Sequence, residues 1–385
     1  MHDRNPMPFV IGEYRARLDN VMASMERRGL TLFMCFMPEN LYYLTAYNTK
    51  GYYTYQCLLL SPKYEPMMIT RHLESDNVRY QTWVERVDDY RDEEDPVELT
   101  RKVLTELGLA EATIGVETNC WFLPSATLEQ LKAALPKARF VDCSGLLEEF
   151  RMIKSAGEIA YMRQAAKAVS AGMRAAIETT QEGVLDNVPA AAAYSARILA
   201  GSEYVSSPAY VVAGPKSGLA HNTWEGRMIQ KGDVVLYEMG ASVRRYHAAV
   251  LRSAVIGEPS DLVRRAADAA REGLVAALKV AGPGVEAADA YIACRDTIGR
   301  SGLGKYYHHR LGYHLGIAYP PTWVQRGVFS LHGTARDKMR PGMVFHFVPS
   351  LLIPEVGGLG NSETVLITES GNEVLTDVAL ELFVR

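Results

Sequence analysis

Two distant stretches of this chain follow one plan, and the repeat limits its possible folds more than any other feature. "AGMRAAIETTQEG" (Ala171 to Gly183) and "EGLVAALKVAGPG" (Glu272 to Gly284) both have helical periodicity, and the glycines Gly172 and Gly183 stand 11 apart, as do Gly273 and Gly284. An Ala-rich helical stretch follows each copy, and a strand-like one comes later: "GDVVLYEMG" after the first, "GMVFHFVPS" after the second. Any two amphipathic helices share some of this, so the matching strands carry the argument. The pattern predicts two α+β halves related by a pseudo-twofold, with strands lining a cleft between them.

This repeat does not account for the whole chain. At 385 residues the sequence is too long for one ordinary core. The part before it alternates between strand-like and helix-like runs. "YRARLDNVMASMERRG" reads as a helix closed by glycine. "LTLFMCFM", "YYTYQCLLL", "EPMMIT", "ATIGVE" and "ARFVDCS" read as strands, and "PENLYYLTAYN" as a turn and short helix. "VELTRKVLTELGL" and "ATLEQLKAAL" read as further helices. This is the pattern of an α/β domain. "EEFRMIKSAGEIAYMRQAAKAV" then opens a helical region, placing a boundary near Phe150 and giving domains 1–150 and 151–385.

Composition excludes several classes of function. Apolar and charged fractions of 48% and 22% are those of a soluble globular protein. A net charge of −4, with no basic run, offers no field for nucleic acid. The opening residues lack a basic segment followed by an apolar one, so no signal peptide is expected, and no run is long enough for a membrane span. The five cysteines are scattered without a CxxC pair, which fits reduced thiols in a cytoplasmic protein.

The densest polar cluster is "YYHHRLGYHLGIAYPP", with His308, His309 and His314. Its HH-x4-H spacing matches no usual zinc pattern, and adjacent residues of a strand or turn point to opposite sides. In "VVLYEMG", alternation puts Val234, Leu236 and Glu238 on one strand face. A carboxylate in line with Val and Leu faces a core or a cleft and needs a partner there. Either Arg252 on the facing strand supplies it, or Glu238 addresses a ligand.

Several motifs resemble, in order and spacing, the pita-bread superfamily of creatinase, prolidase, aminopeptidase P and methionine aminopeptidase. They are "RMIKSAGEI", the hairpin "KGDVVLYEMGASVRRYHAAVLRSAVIG", "GYHLG", "RPGMVFHFVPS" and the closing "NSETVLITESGNEVLT". The resemblance implies a creatinase-type amino-terminal domain followed by a pita-bread catalytic domain. Metal-dependent members bind two divalent ions through two Asp, one His and two Glu. Those positions fall here on Glu238, Ala249, Tyr313 (with His314 one place on), Val348 and Ser362 (beside Glu363). Only one keeps a carboxylate, and alanine and valine have no lone pair to give, so neither a metal nor another cofactor is expected.

The metal-free members, creatinase and ectoine hydrolase, cleave C–N bonds in small non-peptide compounds. Both resemble the chain at "SGLAHNTW", where His221 takes the place of a catalytic histidine able to exchange a proton near neutral pH. The ectoine hydrolase branch is the nearer one. It is similar in Glu238, in the pair Tyr246 and His247, and in "RLGYHLGIAYPPTW" with Trp323. The resemblance implies a metal-independent hydrolase with His221 as general base and acid and Glu238 as nucleophile or charge stabiliser. Tyr313 supplies a phenolic hydrogen bond or a core aromatic, and Glu363 supplies a carboxylate or a strand-end cap. His247, Arg252, His314, Trp323 and Arg326 are candidate substrate contacts. Tyr52 and Tyr53, from the partner subunit of a homodimer, are candidate walls for a cationic ligand.

Departures from the ectoine-type pattern bear on the substrate. Gly360 replaces a Glu, leaving a charge gap and space, Thr322 replaces an Asp, and His314 replaces a small hydroxyl residue near Arg326. They predict a ligand larger or more acidic than ectoine. A creatine-like guanidino compound is the second candidate substrate class. A metal-dependent Xaa-Pro peptidase and an inactive pita-bread binding protein are the alternative functions.

Overall fold

The computed structural model describes residues 7–385. The first six residues, where a signal peptide would begin, lie outside the described residues. The chain divides into two compact units, Met1–Arg151 and Met152–Arg385. Among the described residues no helix is long and apolar enough to cross a membrane.

The first unit contains helices α1 (Ile11–Arg27), α2 (Pro38–Thr45), α3 (His72–Gln81), α4 (Pro96–Glu106), α5 (Ser125–Ala134) and the start of α6 (Leu146–Met152). Its strands are β1 (Leu32–Cys35), β2 (Cys57–Ser61), β3 (Tyr64–Arg71), β4 (Arg86–Tyr90), β5 (Thr113–Val116) and β6 (Arg139–Asp142). They form one mixed sheet in the order β4-β3-β2-β1-β5-β6. All four residues of β1 are buried, as its unbroken apolar run requires of a central strand. Gly29, at φ 64, closes α1 as expected. The strand expected across "YYTYQCLLL" starts only at Cys57. Tyr52 and Tyr53 instead belong to a turn in which Thr54 N–H donates to the Gly51 carbonyl at 3.0 Å. Helix α3 and strand β4 went unread because their sequences, HLESDNVRYQ and RVDDY, carry too few apolar residues to set a period.

The second unit begins with a helix stop-and-start signal legible in "KSAGEI". Ser155 caps α7 (Ala156–Thr179) by accepting from Glu158 N–H, and Glu158 Oε2 accepts from Ser155 N–H at 2.8 Å. Next come α8 (Asn187–Leu199), β7 (Tyr210–Ala213), β8 (Val234–Val243) and β9 (Tyr246–Val255). The second half supplies α9 (Asp261–Val280), α10 (Ala287–Arg300), β10 (Gly312–His314), β11 (Ser330–Leu331) and β12 (Val344–Phe347). It closes with β13 (Ser350–Ile353), β14 (Gly357–Gly360), β15 (Glu363–Thr368), β16 (Gly371–Val374) and β17 (Leu382–Val384). The strands form sheets β17-β9-β8-β7 and β11-β10-β12-β15-β16 and the hairpin β13-β14.

Each half has its own core. Ala165, Val169, Met173 and Ala193 of α7 and α8 pack against Val235, Tyr237 and Val250 of the first sheet. Ala270, Leu274, Cys294 and Ile298 of α9 and α10 pack against Phe345, Phe347 and Val365 of the second. The repeated glycines do one job in both copies. A Cβ at Gly172 would lie 3.0 Å from the Ala193 carbonyl on α8, and one at Gly273 would lie 2.8 Å from Ile298 Cγ1 on α10. Gly183 and Gly284, at φ 85 and 83, then turn the chain out of the first helix of each pair. The two halves are therefore repeats in packing as well as in pattern.

Gly273→Ala should destabilise the protein by about 1–3 kcal/mol through overpacking against α10. Gly12→Ala, in α1 with nothing within 4 Å of the added carbon, should be neutral or stabilising. Urea unfolding of both variants checks the contrast.

Candidate active site

Glu238 lies on β8, and the strand register sets what surrounds it. Leu251 of β9 stands directly opposite on one side and Tyr210 of β7 on the other. Residues paired in this way share a face, as do alternate residues along each strand, so Gly240 and Ala249 join the same surface. The missing side chain at Gly240 admits the Trp323 indole, since a Cβ there would lie 3.1 Å from Trp323 Cε3.

The second sheet closes the other side. Tyr313 of β10 stands opposite His346 of β12. The Tyr313 hydroxyl lies 2.9 Å from His346 Nδ1 and accepts from Trp323 Nε1–H at 2.9 Å. His346 Nε2 lies 2.6 Å from Ser362 Oγ, which also accepts from the Leu251 backbone N–H at 2.6 Å. Glu238 Oε1 is 3.9 Å from His346 Nδ1, and the Glu238 side chain is 20% exposed. Tyr210 completes the wall: its hydroxyl meets Ser207 Oγ at 3.0 Å and its ring lies 5.9 Å from that of Trp323.

Burial sets the charges here. It pushes the Glu238 carboxyl up to about 7. It pulls His346 down to about 3, helped by the nearby Arg252 guanidinium, so the imidazole is neutral at neutral pH. Burial also holds the Tyr313 phenol well above its ordinary value, with the Glu238 charge adding to the effect. The site thus has one carboxyl that titrates near neutrality, beside donors and acceptors that do not.

His221 lies beside Tyr210 at the edge of this group. It is exposed, in a left-handed conformation at φ 60, with its ring 6.4 Å from that of Tyr210. It makes no ion pair or hydrogen bond with Glu238; the imidazole beside that carboxyl belongs to His346. His346 was missed by sequence reasoning, as were Tyr210 and Ser362 as a hydrogen-bonding group. A signal for His346 existed. In "VFHF" the two phenylalanines face the core of the second half, so the histidine must face the other way.

Four expected contacts are corrected. Arg252 pairs in register with Tyr237 and so lies on the face opposite Glu238. Its partner is Glu363, at 2.5 Å. Its other N–H groups go to the carbonyls of Leu251, Ser362, Val378 and Ala379, which leaves none of the five for a ligand. Glu363 is also bonded by the Thr376 hydroxyl and is buried, so it does not replace the carboxylate missing from the closing strand. In His247, Nε2 accepts from Ser206 N–H at 3.2 Å and Nδ1 meets the Arg245 carbonyl at 2.8 Å, so both ring nitrogens are taken. His314 alternates with Tyr313 along β10 and points away from the site, its ring 4.2 Å from Phe345 and 4.7 Å from Phe329.

The space expected at Gly360 is also absent, because a Cβ there would lie 2.7 Å from Ser350 Cβ and 2.9 Å from Leu251 Cδ2. Arg326 is half-buried in the loop after Trp323. In the first unit, the Tyr52 ring meets Phe122 edge-on at 5.3 Å, and Tyr53 is 76% exposed. Of the three clustered histidines, His308 is exposed and His309 Nε2 meets Ser350 Oγ at 2.8 Å, so they converge on no common point.

The chain matches metallopeptidase family M24 over residues 160–369 and the creatinase/prolidase N-terminal domain over residues 17–153. It belongs to that family and is a hydrolase of the M24 type. Among its relatives, ectoine hydrolase of Halomonas elongata is 32% identical over 398 residues, covering 98% of this chain and 99% of the relative. The Xaa-Pro dipeptidase of Pyrococcus horikoshii is 27% identical, covering 70% of this chain and 74% of the relative. Among solved structures, the prolidase from Thermococcus sibiricus superposes with a TM-score of 0.88 at 23% identity, covering 97% and 99% of the two chains. The fold is that of the pita-bread prolidases.

The family name implies a metal, and the donor set can be tested against one. Ala249 offers no donor atom, Val348 offers only a methyl-branched side chain, and the Tyr313 and Ser362 hydroxyls are neutral and tied to His346. Among the described residues no group of three or more His, Cys, Asp or Glu is placed to hold a metal ion. These residues do not fit a two-metal centre.

Stability should separate the two carboxylates. Glu363→Ala leaves the Arg252 guanidinium buried without its counter-charge and should cost about 3–5 kcal/mol. Glu238→Gln should do the reverse with a pH signature. A carboxyl raised to about 7 by burial resists ionisation that the unfolded chain undergoes freely. Its favourable contribution is complete below the unfolded value and is lost as pH rises through about 7. Denaturation of wild type and Glu238→Gln at acid and alkaline pH should therefore show the variant gaining up to about 3 kcal/mol relative to wild type as pH rises.

Proposed function

We propose that the chain is a metal-independent hydrolase that opens the C–N bond of a small cyclic amidine, with ectoine-like compounds as the substrate class. The observation that carries this reading is the lone carboxyl of Glu238. It stands beside aromatic and neutral polar groups where a two-metal enzyme needs several charged ligands. The full-length similarity to an ectoine hydrolase supports the choice of substrate class. Tyr210 and Trp323 offer aromatic faces to a delocalised cation and Glu238 offers the counter-charge, whereas the Tyr313 ring already carries the Arg310 guanidinium 4.9 Å from its centroid.

In the reaction, a Glu238 carboxylate oxygen adds to the amidinium carbon, and the C=N electron pair moves to one ring nitrogen. That nitrogen takes a proton and leaves as an amine when its C–N bond breaks. The product is an ester-like adduct on Glu238. Water attacks the adduct, loses a proton and releases the amide, which regenerates the carboxylate. His221, at the exposed side of Tyr210, exchanges these protons with solvent when its loop brings it inward. The Tyr52–Tyr53 turn serves as an aromatic wall supplied by the second subunit of a homodimer. Gly360 has neither a carboxylate nor room for one, so ectoine should bind weakly. The case for a more acidic ligand no longer includes His314.

Purified protein assayed with ectoine, hydroxyectoine and creatine in the presence of EDTA should hydrolyse a cyclic amidine. Glu238→Ala should lose at least about 10²-fold in kcat, and His221→Ala about 10²–10⁴-fold with KM little changed. In wild type, kcat/KM should rise with pH through about 7 as the free-enzyme carboxyl ionises. Dipeptide cleavage that requires added Mn(II), with no amidine turnover, would overturn the reading in favour of an Xaa-Pro dipeptidase.

A further inference from the structure

The polar groups beside Glu238 form a chain whose direction is fixed at both ends. The Leu251 backbone N–H can only donate, and it donates to Ser362 Oγ at 2.6 Å. The Trp323 indole N–H can only donate, and it donates to Tyr313 Oη at 2.9 Å. Between these ends, His346 bridges Ser362 Oγ at 2.6 Å and Tyr313 Oη at 2.9 Å.

Only two arrangements of hydrogens satisfy the bridge. In one, Tyr313 donates to His346 Nδ1, and Nε2–H donates to Ser362. The serine hydrogen then has no acceptor, although Ser362 is fully buried. In the other, Ser362 donates to Nε2, and Nδ1–H donates to Tyr313. The buried serine hydrogen is then used, which is the less costly choice. Tyr313 Oη now accepts two hydrogen bonds, one from the indole and one from the imidazole, so both its lone pairs are spent. Its own hydrogen has to leave this chain, and Glu238, the carboxyl whose charge acts on this phenol, is the acceptor left for it. The Tyr313 hydroxyl can then be only a donor to whatever reacts there.

We propose that Ser362 and His346 are positioning residues that hold Tyr313 as an obligate hydrogen-bond donor towards the bond being made at Glu238. This rests on Glu238 being the reacting carboxylate. An amidinium nitrogen has no free lone pair, because its electrons are delocalised over the cation. When Glu238 adds to the carbon, that nitrogen becomes amine-like and gains one. The Tyr313 donor therefore meets an acceptor that exists only after attack begins. Such a contact strengthens towards the transition state and contributes to kcat rather than to binding.

Nitrogen-15 NMR of the histidine side chains in the wild-type protein tests the direction without any substrate. The expected result is a neutral His346 with hydrogen on Nδ1 and none on Nε2. Hydrogen on Nε2 would overturn the proposal whatever the protein hydrolyses. The kinetic arm uses ectoine as the probe. Tyr313→Phe and His346→Leu should lower kcat about 10- to 100-fold, the scale of one strong hydrogen bond, with KM changed less than about 3-fold. His346→Asn keeps an N–H near the position of Nδ1 and should recover most of the loss, whereas His346→Gln should not. Equal loss in both, or a change confined to KM, would make His346 merely structural. If neither ectoine nor hydroxyectoine is turned over, the function proposed above fails, while the NMR result still decides the direction of the chain.

Discussion

Arg252 spends all five of its N–H groups inside the protein, and much of the site depends on where they go. The guanidinium starts on β9 of the first sheet and reaches Glu363 on β15 of the second, together with the carbonyls of Ser362, Val378 and Ala379. A buried ion pair of this kind is costly to assemble and costlier to break, because removing one partner strands the other charge. It therefore locks two sheets together at one register. Beside it, Leu251 N–H donates to Ser362 Oγ and Leu251 C=O accepts from Ser362 N–H at 3.0 Å. Thr364 Oγ1 makes a similar pair of bonds with Ala249. Glu238 rides on the first sheet and His346 on the second, so this junction sets their separation.

The same junction explains how a fold shared with two-metal peptidases can present different chemistry. At the four metal-ligand positions other than Glu238, this chain has a hydroxyl, a phenol and two apolar residues. Those small and neutral groups leave room that Trp323 enters over Gly240, and they give His346 partners on both ring nitrogens. The result is a site in which burial brings the Glu238 carboxyl up to about 7. No counter-charge lowers it: Arg252, on the neighbouring strand, is on the far face and already paired.

Much of this architecture was legible in the sequence. The repeated pattern of Ala171 to Gly183 and Glu272 to Gly284 marked α7 and α9 as equivalent helices, and the helical run after Phe150 marked the opening of the second part. Alternation in "VVLYEMG" put Glu238 on the same face as Leu236. These readings hold because they depend on local periodicity and backbone conformation, which a chain carries with it. The site was legible in part. Glu238, Tyr313 and Trp323 converge, His221 stands beside Tyr210, His247, Arg252 and Glu363 are committed elsewhere, and His314 turns away with neither ring nitrogen hydrogen-bonded. His314 was drawn into the reading by its neighbours in sequence, yet one residue along a strand reverses a side chain. His346 was overlooked because nothing in one dimension marks it as a neighbour of Glu238.

The sequence by itself determined most of the elements and the two halves, since these follow from residue type and spacing, and the family resemblance showed which ligand positions lack a donor. Only the tertiary structure decided which polar groups meet. Whether Arg252 pairs with Glu238 or Glu363 depends on the register between β8 and β9 and on the approach of β15 from another sheet. The direction of the Ser362–His346–Tyr313 chain likewise depends on two donors, Leu251 N–H and Trp323 Nε1–H, that come from distant parts of the chain. Hydrogen-bond partners across sheets are set by packing, and packing is not encoded at any single position.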